Sequence, residues 1–195
     1  MKLKNFNIAD YFSIYRLVTA PLIILAIVFD SRIITSILLL VSFLTDAVDG
    51  YLARSRKIET SKGAKLDSIG DLVTLILGLA AFVSFETEFV LDHLPIIITA
   101  VTLFIFQMIV SLIRFRKVSS YHTYLAKITA VLIAAFFVVT PVAGPFELLF
   151  YVAFYSGIGE AAEEIIITLV LRKPAENVKG LYWVLKRPDL RFTLH

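Results

Sequence analysis

The chain has no cysteine, which excludes a thiol nucleophile and a thiolate-held metal. It has no polar stretch long enough to be a separate soluble domain. Charged residues make up only 18% of its 195 positions against 58% hydrophobic, and mean hydropathy is +0.84. Such usage lies far outside that of soluble domains and marks an integral membrane protein. Internal repeats and low-complexity tracts are absent, which excludes solenoids and arrays. A small-residue cleavage site is missing after the first apolar run, which carries Arg16 and Pro21 inside it. That run is expected to stay in the mature protein rather than act as a cleaved signal.

What is present is a series of apolar stretches, at roughly 11–29, 31–53, 65–86, 94–113, 123–142 and 146–171. Each is long enough to cross the hydrocarbon as a helix, which takes about 20 residues. The expected fold is an all-α membrane protein of six transmembrane helices. Residues 1–172 are expected to form the six-helix transmembrane domain with a short interfacial segment at its start, and 173–195 a basic, aromatic tail.

Basic residues set the orientation. With the N-terminus in the cytoplasm, Lys2, Lys4, Arg54, Arg56, Lys57, Lys62, Lys65, Arg114, Arg116, Lys117, Arg172, Lys173, Lys179, Lys186, Arg187 and Arg191 all fall on that side, and Arg32 alone falls clearly outside. The positive-inside rule therefore puts both termini in the cytoplasm. Contact with anionic lipid head groups accounts for the pI of about 9.1, so the basicity calls for no nucleic acid.

Against this apolar background the stretch "TDAVDGYLARSRKIETSKGAKLDSIGD" places Asp46, Asp49, Asp67 and Asp71 around a short basic loop. Ionised groups at membrane depth are costly and need compensation. The spacings i, i+3 and i, i+4 put each pair on one face of its helix, and an antiparallel hairpin turns the two faces together. Oxygen ligands without histidine or cysteine favour magnesium, manganese or calcium. Four carboxylates are enough for two such ions, an arrangement suited to phosphoryl chemistry. Gly50 and Ala53 leave room for a bulky ligand, Arg54 offers a planar cation for phosphate, and Gly63 suits a tight turn or close ligand approach.

The run D46-x2-D49-G50-x2-A53-R54-x8-G63-x3-D67-x3-D71 resembles the signature of the CDP-alcohol phosphotransferase family at every defined position. The opening "NIADYFSIYRLVTAP" is similar to the N-I-P-N-x-L-T-x2-R-x4-P pattern of its phosphatidylglycerophosphate synthase branch: Asn7, Ile8, Arg16 and Pro21 fit, whereas Ala9, Asp10 and Ser13 depart from it. The resemblance implies transfer of a phosphatidyl group from CDP-diacylglycerol to the hydroxyl of a small polar alcohol, with release of CMP. It implies Asp46, Asp49, Asp67 and Asp71 as ligands of Mg2+ or Mn2+, with Asp71 also the base. It implies a nucleotide pocket at Asp49, Gly50, Ala53, Arg54 and Gly63, a homodimer, and a bacterial inner membrane with the active site facing the cytoplasm.

Glycerol 3-phosphate is the first choice of acceptor, with inositol phosphate, inositol or serine as alternatives. Ser68 and Leu72 stand where the phosphatidylglycerophosphate synthase branch has Pro after the third aspartate and Lys after the fourth, and Asp67-Ser68 looks more like the inositol and serine branches, whereas Arg16 speaks against serine. An acceptor phosphate needs cations, and Arg114 and Lys127 are the candidates; snorkelling and topology signalling are their plainer readings. Buried Arg16 needs an acidic partner, and a bridge to Glu160, Glu163 or Glu164 is the structural expectation. Tyr121 and Tyr124 read as aromatic-belt residues, His122 as a hydrogen-bonded interfacial residue rather than a base, and His93 and His195 as loop or tail residues without a partner pattern. A transporter would show paired halves with broken helices, which are not visible, and a non-catalytic scaffold would have no use for the aspartate spacing.

Overall fold

The computed structural model describes residues 8–56, 61–116, 121–175 and 178–186; within the first two stretches, side chains are described for 15–48 and 68–116. The six expected spans are all helices: α1 (Ile8–Val28), α2 (Arg32–Arg56), α3 (Ser61–Phe85), α5 (Leu94–Phe115), α6 (Tyr124–Ala143) and α7 (Glu147–Val170). Two short helices accompany them, α4 (Thr87–Asp92) and α8 (Leu181–Leu185).

Among the described residues, three helical stretches are long and apolar enough to cross a membrane: Ser68–Phe85, Leu94–Phe115 and Tyr124–Ala143, with Tyr15–Val28 a shorter apolar helix. The remaining two helices carry charge within their length: α2 has its aspartates and arginines, and α7 has three glutamates in its second half. Val18, Val28, Phe29, Ile113, Val131 and Leu148 are among many large apolar side chains that face outward. In water they would form patches far larger than a monomer tolerates; facing acyl chains, they need no cover. The protein is an integral membrane protein.

The chain forms two compact units. The first comprises Met1–Phe89 and Ala134–Phe146, and in it α1 packs against both α2 and α3. Ile23, Leu39, Leu77, Ala81 and Phe85 form its core, with Ala20, Ile27, Phe43, Val73 and Val138 against them. The turn from α1 to α2 is only three residues long, and Asp30 adopts φ 52° there, a left-handed conformation that aspartate tolerates better than most residues. Thr19 and Thr74 are buried but donate to carbonyls of their own helices, at 3.0 Å to Tyr15 and 2.9 Å to Gly70, so neither leaves a polar group stranded. Phe82 packs edge-on against Phe136 with ring centroids 4.9 Å apart. Gly78 admits Phe137 so closely that a Cβ there would lie 2.5 Å from its Cδ2.

At the end of this unit furthest along α3, Arg32 Nη1 donates to Glu86 Oε1 at 2.6 Å and Nη2 to the carbonyl of Phe85 at 2.8 Å. The guanidinium also lies over the Phe85 ring. The start of α2 is thereby clipped to the end of α3.

The second unit comprises Val90–Ile133 and Glu147–His195, with α5 packed along α7. Tyr121, Ile167, Leu171 and Val184 are its buried cluster. Tyr121 is therefore a core residue and not part of an aromatic belt: it is fully buried, and its hydroxyl hydrogen-bonds Thr168 Oγ1 at 2.8 Å. A phenol can be buried when its polar tip finds a partner, and the apolar context of the sequence did not reveal that Thr168 would supply one. Tyr124 stays exposed and meets Trp183 edge-on. His93 also has partners, with Nε2 3.0 Å from the Tyr151 hydroxyl and its ring against Phe150.

The tail returns to this unit. Val178 N–H donates to the Tyr121 carbonyl at 2.8 Å, and Tyr124 N–H to that of Lys179 at 3.2 Å. Gly180 has φ 152°, and a Cβ there would meet Glu163 Oε1 at 3.0 Å. That same oxygen accepts the Leu181 N–H at 2.9 Å, so Glu163 holds the first turn of α8, whose Val184 is buried.

Candidate functional site

In the first unit Arg16, from the middle of α1, is 1% exposed. A guanidinium at that depth is tolerable only with anionic, hydrogen-bonding partners. Its Nη1 donates to Asp46 Oδ1 on α2 at 2.7 Å and also to Asp71 Oδ1 on α3. The expected bridge from Arg16 to the α7 glutamates is thus replaced. α1 packs directly against α2 and α3, which brings Arg16 to the aspartates. Glu163 and Glu164 are engaged within the second unit, Glu164 by Gln107 Nε2 from α5.

Gly70 makes this arrangement possible. A Cβ at that position would lie 3.2 Å from Arg16 Cζ and 3.3 Å from Nε, so a side chain there would push the guanidinium away from α3 by a few tenths of an ångström. The two carboxylates are not buried with it. Asp46 and Asp71 side chains are 40% and 47% exposed, against 0% for Arg16, so the acidic side of the cluster is open.

Two carboxylates around one guanidinium leave net negative charge. Asp49, Gly50, Ala53 and Arg54 lie on α2, and Gly63 and Asp67 on α3, but their side chains are outside the described residues. Among the described residues no group of three or more histidines, aspartates or glutamates is arranged to hold a metal. The donor set nevertheless fits a hard cation. Carboxylate oxygens from two different helices converge on one positively charged nitrogen, and hard oxygen donors of this kind would also suit a divalent cation.

Arg114 and Lys127 both belong to the second unit. Arg114, at the last turn of α5, donates from Nη2 to the Leu171 carbonyl at 3.0 Å and lies over Phe115. Lys127, in the first turn of α6, is exposed, with Nζ 5.7 Å from the Tyr124 ring centroid.

A family model described as CDP-alcohol phosphatidyltransferase matches residues 6–168. The chain belongs to that family. A protein of Haemophilus influenzae named CDP-diacylglycerol–glycerol-3-phosphate 3-phosphatidyltransferase is 33% identical over 88 residues, covering 44% of this chain and 48% of that protein. Proteins of the same name from Rickettsia bellii and Rickettsia felis are 30% and 29% identical over 124 and 125 residues, each match covering 67% of the relative. The chain thus spans 48% of the length of the first of these relatives. No solved structure matches it.

The matched region of this CDP-alcohol phosphatidyltransferase family member takes in Arg16, all four signature aspartates, Arg114, Lys127 and the α7 glutamates, and ends before the tail. Sequence reasoning missed Gln107 and Ser111, 6% and 0% exposed on α5. Their signal was available: two polar residues four apart in "FIFQMIVSLI" point to one buried face, because an amide in an apolar span needs a partner.

Proposed function

We propose that the protein transfers the phosphatidyl group of CDP-diacylglycerol to the hydroxyl of glycerol 3-phosphate and releases CMP. The observation that carries this reading is the convergence of Asp46 from α2 and Asp71 from α3 on a single cationic nitrogen, within the aspartate signature of the matched family. The relatives named for glycerol 3-phosphate favour that acceptor.

Asp46, Asp49, Asp67 and Asp71 would hold two divalent cations, Mg2+ or Mn2+. When bound, such ions neutralise phosphate oxygens and the charge that develops on the departing CMP. The acceptor oxygen attacks the phosphorus that carries the diacylglycerol. Its bond to that phosphorus forms as the pyrophosphate P–O bond breaks, the electron pair leaves with CMP, and the hydroxyl proton passes to Asp71. A carboxylate is a weak base, but it has only to accept the proton as attack proceeds. Gly50, Ala53, Arg54 and Gly63, with Asp49, bind the cytidine diphosphate. Arg114 and Lys127 are the cations offered to the acceptor's phosphate.

Six spans with both termini cytoplasmic open this site to the inner leaflet of a bacterial membrane, where a two-tailed donor enters laterally, and the working form is a homodimer. The apolar outer faces and the placement of basic residues support this topology. The test is CMP release from CDP-diacylglycerol by purified full-length protein with Mg2+ or Mn2+. Glycerol 3-phosphate, inositol phosphate, inositol and serine are supplied in turn. Release that depends on glycerol 3-phosphate is expected. Dependence on another acceptor reassigns the substrate, and no release with any acceptor ends the proposal.

A further inference from the structure

Arg16 is not explained by the transfer chemistry. Burying a guanidinium is costly, and the two half-exposed carboxylates are what offset that cost. One nitrogen, Nη1, meets both Asp46 Oδ1 and Asp71 Oδ1. A divalent cation held by Asp46 and Asp71 would compete with that nitrogen for the same carboxylates and be opposed by its positive charge. The two occupants are therefore alternatives. Gly70 provides the room in which the guanidinium can rest or shift, because no Cβ stands between it and α3.

We propose that Arg16 is a built-in counter-cation of the aspartate site: it holds α2 and α3 together while the site has no divalent ion, and it gives up its carboxylate oxygens when one binds. Arg16 is then a positioning residue that keeps the carboxylates converged through each cycle of metal loss and return. Without it, facing carboxylates would repel one another and loosen the packing of α1, α2 and α3. This inference rests on the proposed metal-dependent reading of the site, and it sets the affinity for metal rather than the identity of the acceptor.

The experiment uses full-length protein in detergent micelles. Mn2+ binding is followed by the loss of the free-ion electron paramagnetic resonance signal, and thermal unfolding is recorded in EDTA and in saturating Mn2+. Arg16→Gln is expected to bind Mn2+ about tenfold more tightly, because a competing internal cation is gone. It should also unfold at lower temperature in EDTA and gain more from Mn2+ than the unsubstituted chain does. Gly70→Ala, which crowds the guanidinium by a few tenths of an ångström, should shift all three readings the same way by a smaller amount. It decides the matter if Arg16→Gln does not fold under either condition.

Equal or weaker Mn2+ binding in the variants, with binding intact in the unsubstituted chain, overturns the counter-cation role and leaves the metal reading standing. Absence of Mn2+ binding in all three proteins overturns both.

Discussion

Two arginines bind the same three-helix unit at different places, and they are not equivalent. Arg32 reaches from the start of α2 to Glu86 at the end of α3, with its side chain 41% exposed. Arg16 reaches from α1 to Asp46 and Asp71 with its side chain fully buried. The bonds are chemically alike. The difference is solvation: in the Arg32 pair the guanidinium is 41% exposed and Glu86 17%, so the cation keeps part of its water, whereas the Arg16 cation is wholly buried against carboxylates 40% and 47% exposed, so losing them would strand a desolvated charge. The Arg32 clip acts as a fastening. The Arg16 cluster joins a buried cation to open acids, which is an arrangement that can exchange one cation for another.

The sharpest way to test that contrast is at Asp71. Asp71→Asn keeps the side chain's shape but removes its charge and its basicity, and CMP release is expected to fall by about a thousandfold or more, within the range for loss of a positioned base. Binding of a CDP-linked donor, followed by equilibrium dialysis, should remain measurable. Parallel loss of binding and release would assign Asp71 to structure or metal retention instead.

A smaller effect is expected midway along α3. Gly78→Ala forces a methyl group onto Phe137, and overpacking of this kind costs about 1–3 kcal/mol. The unfolding temperature in detergent should fall while Mn2+ affinity stays unchanged. A change in affinity would mean that the middle of α3, and not the cluster at Asp71, sets the geometry of the site.

The smallest effect belongs to Arg32→Gln. The unfolding temperature should fall slightly as the contacts to Glu86 and the Phe85 carbonyl are lost, with Mn2+ binding and CMP release at the level of the unsubstituted chain. If it altered Mn2+ affinity as strongly as Arg16→Gln does, the distinction between the two arginines would collapse.

The helices were legible because long apolar runs broken by short charged turns leave the backbone few alternatives. The aspartates were legible for a similar reason, since carboxylates four and three residues apart in such a chain stand out. The partner of Arg16 was not. A sequence shows that a buried cation needs an anion, but it does not show which helix lies beside α1, and Asp46 and Glu164 were equally acceptable chemically. Tyr121 and Gln107 escaped for the same reason, since their partners Thr168 and Glu164 lie 47 and 57 residues away. Gly70 and Gly78 gave no sign of their roles, because a glycine's value lies in the neighbour it admits.

Glu163 has a practical consequence for anyone shortening the protein for crystallography. One oxygen of its carboxylate accepts the Leu181 amide N–H, and Val184 packs in the buried cluster with Tyr121 and Leu171. A stop codon after Ala175 would strip away both and leave an acid facing an apolar hole.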